Sequence, residues 1–242
     1  MASKFTDALL ASPLPVIMEV KRRDGHGTEL MGERTIPEVV SEYIAAGAPC
    51  ISVVTGRWFG GDDQMLLDVA ELTDLPLLKK DFITREKQII AAKEMGASAI
   101  LLTARILPKN ALPKLIEDTL SNGITPFVEV TDQDELDRVI HPEDCIVAVN
   151  NKDIRGQEKD SGDIDVSHAM VGPAIASGTP CPVSASAIID PKVAAELVAA
   201  GYKGLLVGTG LLQADSVQGW VDQFEQHRKT LSSASPVSPG SR

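Results

Sequence analysis

Eight short apolar runs alternate with eight amphipathic stretches along this chain, and that order limits its fold more than any other feature. The runs fall near 15–20, 50–54, 76–80, 98–103, 124–129, 144–149, 181–184 and 203–207. Hydrophobic residues recur at helical spacing over 36–46, 62–72, 85–95, 109–121, 131–140, 165–176, 190–200 and 215–230. Short runs that are apolar on both faces suit parallel strands covered by helices, and eight such units suit a single (β/α)8 TIM barrel. An open doubly wound sheet is the alternative that a count of units leaves standing. The 242 residues match the roughly 250 that a TIM barrel uses. With 43% hydrophobic residues but only 4% aromatic, the core is aliphatic, as buried parallel strands prefer. The junctions AAGAPC, EMGASA, SNGITP and AAGYKG are four versions of one helix–Gly–strand turn, with Gly47, Gly96, Gly123 and Gly201 ending the helices. Asp190-Pro191 and Thr131-Asp132 read as helix starts.

No boundary interrupts 15–231, which is read as the barrel. Residues 1–14 have room for one short helix, and 232–242 (SSASPVSPGSR) read as a disordered tail. A net charge of −11 argues against nucleic acid or an anionic membrane as partner, while leaving room for an anionic small molecule beside a local cluster such as Lys21-Arg22-Arg23. No run is apolar enough to span a membrane and no signal peptide is seen, so the expectation is cytoplasmic. Cys50, Cys145 and Cys181 each open a strand and show no metal spacing; they read as small buried thiols. His26, His141, His168 and His227 make no ligand set, so no metal is expected.

The ends of the apolar runs carry the chemistry. Glu19 and Lys21 close the first, Lys80 the third, Glu129 the fifth and Asn150 the sixth. In a parallel barrel all these ends meet on the C-terminal face, where such barrels do their chemistry. Glu19 and Lys21, two apart, point to the same side of a strand. Of Lys79 and Lys80 one faces inward and one outward, and alternation alone does not say which. Glu129 within FVEV is a carboxylate among apolar neighbours and calls for a partner, plausibly a lysine. Two lysines, two glutamates and an amide make an acid–base apparatus that core packing would not require. After strands 7 and 8 the segments SASAIID and VGTGLLQ leave backbone N–H groups open to an anion, and Ser186 and Thr209 add hydroxyls.

Together the stretches IMEVKR, GAPCISVVT, RWFGG, LLKKDFIT, KEMGASAILLTARIL, PFVEV, AVNNKDI and LLVGTGLL resemble the indole-3-glycerol phosphate synthase family over roughly 15–215. The resemblance implies a cofactor-free carbon–carbon lyase of the tryptophan pathway, which closes carboxyphenylamino-deoxyribulose phosphate into an indole with loss of carbon dioxide and water. It places the catalytic acid at Lys80, the second lysine at Lys21, the glutamates at Glu19 and Glu129, and the strand-6 asparagine at Asn150. It sets Phe59 and Phe82 against the aromatic ring, and Arg22, Lys152, Ser184, Ser186, Gly208 and Thr209 complete the candidate substrate contacts. Four departures accompany it. Arg22-Arg23-Asp24-Gly25-His26 replaces a Ser-Pro-Ser, setting an acid near the expected phosphate. Ser184-Ala185-Ser186-Ala187 stands where the family has a glutamate between two serines and then glycine. Lys152 replaces an arginine, and the N-terminal extension is shorter. The alternatives are a paralogue cyclising a related aryl-amino sugar in a specialised indole pathway, an impaired barrel that binds a metabolite or partner, and a Schiff-base aldolase using Lys80.

Overall fold

The computed structural model describes residues 3–152 and 162–234. Eight parallel strands close into one barrel in chain order. They are β1 (Val16–Val20), β2 (Ile51–Val54), β3 (Leu77–Lys80), β4 (Ala97–Thr103), β5 (Thr125–Val130), β6 (Ile146–Asn150), β7 (Cys181–Ala185) and β8 (Gly204–Val207). Closure is made by β1 pairing with β8, Ile17 opposite Leu206, so the open-sheet alternative is excluded. Outer helices follow the strands: α2 (Ile36–Ala45), α3 (Asp63–Leu72), α4 (Glu86–Glu94), α5 (Ala111–Ser121), α6 (Gln133–Leu136), α7 (Asp165–Ala176), α8 (Pro191–Ala200) and, after β8, a short α9 (Thr209–Leu212) and a long α10 (Val217–Ala234). Ahead of them all lies α1 (Lys4–Ala11).

The local signals act as expected. Asp190 accepts from the Lys192 N–H and Asp132 from that of Glu135, capping α8 and α6. The four junction glycines all have positive φ, which a side chain would resist. The helix expected over 131–140 is shorter: it ends at Leu136 and gives way to turns, and His141, just before Pro142, sits at φ 50°. The Arg138 side chain there turns back to the carbonyls of Ala104 and Leu107. Of the expected tail, Ser232–Ala234 continue α10 and the remainder lies outside the described residues.

Alternation divides each strand between two cores. Outward residues such as Val16, Val53, Ile100 and Val147 pack under the helices. Inward residues, among them Ile17, Cys50, Leu78, Leu101, Phe127, Ile146 and Leu206, fill the barrel. Phe5 and Leu9 of α1 join the inner set and plug the lower end. All three cysteines are buried and free. Burial pushes the Cys145 and Cys181 thiols up to about 12, so they stay neutral. Among the described residues no helix is long and apolar enough to cross a membrane.

Candidate active site

Continuing the inward ladder past the apolar layers leads to charge. On β1 the sequence Ile17, Glu19, Lys21 runs up the inner wall; on β3 Leu78 is followed by Lys80, on β5 Phe127 by Glu129, and on β6 Ala148 by Asn150. All five are buried, between 1% and 8% exposed. Glu19 is the residue that both lysines meet. Lys80 Nζ lies 3.1 Å from Oε2 and Lys21 Nζ 3.4 Å from Oε1. Burial alone would raise the Glu19 carboxyl, but the Lys80 and Lys21 ammoniums outweigh it and hold it below the ordinary glutamate range. The carboxylate is therefore ionised beside the two lysines. Ser52 Oγ reaches Oε2 at 3.5 Å, and Tyr43 of α2 donates its hydroxyl to the Glu19 carbonyl at 2.8 Å. Gly208 completes the fit, since a Cβ there would lie 2.6 Å from Glu19 Oε1.

The lysine ambiguity at β3 resolves in favour of Lys80. Lys79 points outward to Asp63 of α3 and to Asp81. Asp81 in turn accepts from Thr55 Oγ1 at 2.9 Å, which holds the loop after β3 in place. Glu129 lies level with Thr103 of β4 in the strand register. Asn150 Oδ1 accepts from the Lys152 N–H at 2.9 Å. Among the described residues the Asn150 amide nitrogen and the Thr103 hydroxyl, both buried, have no hydrogen-bond partner. Sequence reasoning passed over Thr103, although it ends an apolar run in step with inward Ala99 and Leu101.

A cavity opens above this layer. Glu19, Lys21 and Lys80 form its floor, and Lys152, Ser186, Ala187, Gly208 and Thr209 line it with apolar Ile188, Ile189 and Leu206. Four of the expected substrate contacts thus meet in one place. The other four lie elsewhere. Phe59 is half-buried beside the floor, with Lys21 Nζ 5.6 Å from its ring centroid. Phe82, 40% exposed, shares a neighbouring cleft with Trp58. Arg22 is turned outward by alternation into another cleft with Glu29 and Arg34. Beyond it the loop folds back on itself, with Arg23 paired to Glu29 at 2.6 Å and Asp24 accepting from the N–H groups of His26 and Thr28. Asp24 is thereby consumed in a turn. Ser184 faces out of the barrel and bonds Ser167 of α7 at 2.7 Å, because inward Val183 and Ala185 on either side leave it the outer face.

The family model for indole-3-glycerol phosphate synthase matches residues 1–224. The chain belongs to the indole-3-glycerol phosphate synthase family. Relatives bearing that name include a protein of Staphylococcus haemolyticus, 34% identical over 225 residues, covering 92% of this chain and 84% of that protein. Another, from Pyrococcus furiosus, is 34% identical over 214 residues, covering 87% and 91%. Among solved structures, 3-hexulose-6-phosphate synthase from Salmonella typhimurium superposes with a TM-score of 0.66 at 14% identity, covering 89% of this chain and 98% of that one. At that identity the likeness speaks for the shared barrel alone.

Proposed function

We propose that this member of the synthase family converts carboxyphenylamino-deoxyribulose 5-phosphate into indole-3-glycerol phosphate, carbon dioxide and water. The observation that carries the reading is the ionised Glu19 between Lys80 and Lys21 on the floor of a cavity whose rim offers Lys152, Ser186, Gly208 and Thr209 to a phosphate. Lys80 acts as general acid, giving its proton to the substrate ketone oxygen as the ring carbon attacks the carbonyl carbon. Loss of carbon dioxide restores the aromatic ring. Lys21 and Glu129 then handle the proton transfers that expel the new hydroxyl as water. Glu19 holds both lysine side chains in place, and the Asn150 amide nitrogen and Thr103 hydroxyl are donors left for the substrate's own oxygens. Residues 15–231 supply this catalytic barrel. The test is turnover of that substrate followed by indole fluorescence, with Lys80→Met alongside. Equal turnover in the variant would overturn the role given to Lys80.

One observation favours a second reading. Ala185, fully buried on the inner wall of β7 and level with Asn150, brings no carboxylate to the site. A paralogue acting on a related aryl-amino sugar would need none there. Natural turnover of the family substrate opposes that reading, turnover that appears only in Ala185→Glu marks an inactivated synthase, and turnover by neither protein supports the paralogue.

A further inference from the structure

The cavity wall after β7 is held in an unfavourable shape. Ser186 and Ala187, both lining the cavity, have φ of 67° and 58°. Neither is glycine, and left-handed geometry strains any residue with a Cβ. Such strain persists only where surrounding contacts impose it.

Those contacts converge on one side chain, Asn151. It is 2% exposed, and its amide nitrogen donates to the carbonyls of Ala185 and Ser186, both at 3.0 Å, and to Ser184 Oγ at 3.2 Å. Its backbone N–H also bonds the Ala185 carbonyl, at 3.0 Å. The amide oxygen faces the other way and accepts from the Ser167 N–H at 3.1 Å. That N–H belongs to the first turn of α7, whose cap residue Ile164 has no side chain able to accept it. Ser167 is fastened in turn by its hydroxyl to Ser184 and through its carbonyl to the Tyr202 hydroxyl at 2.8 Å. The Asn151 carbonyl accepts from Asp163, and Gly162 beside it packs so close that a Cβ would collide with Ala187. Asn151 therefore ties the end of β6, the strained loop after β7 and the start of α7 together behind the cavity wall.

The geometry points to Asn151 as a positioning residue for anion binding: from outside the cavity it imposes the left-handed loop that presents Ser186 and Ala187 to the substrate's phosphate. This rests on the reading that the cavity takes a phosphorylated substrate. Asn151 touches no reacting atom, so its effect belongs in substrate affinity.

Asn151→Asp is the decisive variant. It keeps the volume and the acceptor for Ser167, but sets a carboxylate oxygen against the carbonyls of Ala185 and Ser186. The expected result is a rise of about tenfold or more in KM for the phosphorylated substrate, with kcat within about threefold of the natural chain. The inhibition constant of inorganic phosphate should rise in parallel. Adding Ala187→Gly, which removes the Cβ that opposes the loop's shape, should recover most of both losses; a merely structural role for Asn151 predicts no such recovery. Unchanged KM and phosphate inhibition, or a loss confined to kcat, would overturn the inference while the natural chain's turnover still upheld the function. If the natural chain neither turned over nor bound phosphate, the functional reading and the inference would fall together. Should Asn151→Asp not fold, Asn151→Ser serves in its place. It retains one donor with a shorter reach, and a KM within experimental error of natural would sink the idea.

Discussion

The two ends of this barrel are built on the same strands and obey opposite rules. At the lower end the inward positions are Ile17, Cys50, Phe127, Ile146 and Cys181, sealed by Phe5 and Leu9 of α1. One or two steps higher on the same strands stand Glu19, Lys21, Glu129 and Asn150, and β3 adds Lys80 above Leu78. The lower end is a dry, close-packed plug that stabilises the fold. The upper end buries charge, which costs stability unless it is paired, and is offset here by setting one carboxylate between two ammoniums. Alternation lets a single strand serve both ends, because every second residue enters the same interior.

The contrast predicts that substitutions at the two ends separate activity from stability. The largest effect is expected for Lys80→Met, which should lower turnover about 10²–10⁴-fold, the usual contribution of a general acid. Its melting temperature should move less than that of a lower-end variant, because Lys21 remains 3.4 Å from Glu19. Phe127→Ala, two residues below Glu129 and fully buried, should cost about 3–5 kcal/mol of unfolding free energy in urea while leaving KM near its natural value. If Phe127→Ala instead altered KM strongly, the two ends would not be separable. Gly208→Ala tests the boundary between them. Its methyl group would press on Glu19, so about 1–3 kcal/mol of overpacking and a clear loss of turnover should appear together. Ala187→Gly should act in the other direction, relieving left-handed strain at a small entropic cost for a net gain of about 0.5–1 kcal/mol by thermal melting.

Acid should probe the upper end without mutation. The Glu19 carboxyl titrates lower in the folded chain than its ordinary 4.5, so it binds fewer protons folded than unfolded. Its stabilising contribution is complete above that ordinary value and is lost as pH falls through the lowered one. The natural chain should therefore lose stability more steeply than Glu19→Gln as pH drops below 4.5. Parallel slopes would mean that the carboxylate is not ionised beside its lysines.

Much of this was legible in the amino-acid order. The apolar runs and helical periodicities placed all eight strands to within two residues, because burial on both faces and the junction glycines are local demands. Glu19 and Lys21 were legible as a pair, since residues two apart share a strand face. Ser184 was misplaced, although parity with the apolar Val183 and Ala185 could have turned it outward.

By itself the sequence determined the order of elements, the barrel they favour and the strand ends where ionisable residues collect, because these follow from periodicity and local sterics. Only the tertiary structure decided which side of each strand is the inside, since alternation relates neighbours to one another but closure and register set the absolute face. That choice sends Lys80 rather than Lys79 to Glu19 and turns Arg22 away from the cavity. It also gives Asn151 its grip on a loop more than thirty residues away, a contact that exists only once β6 and β7 lie side by side.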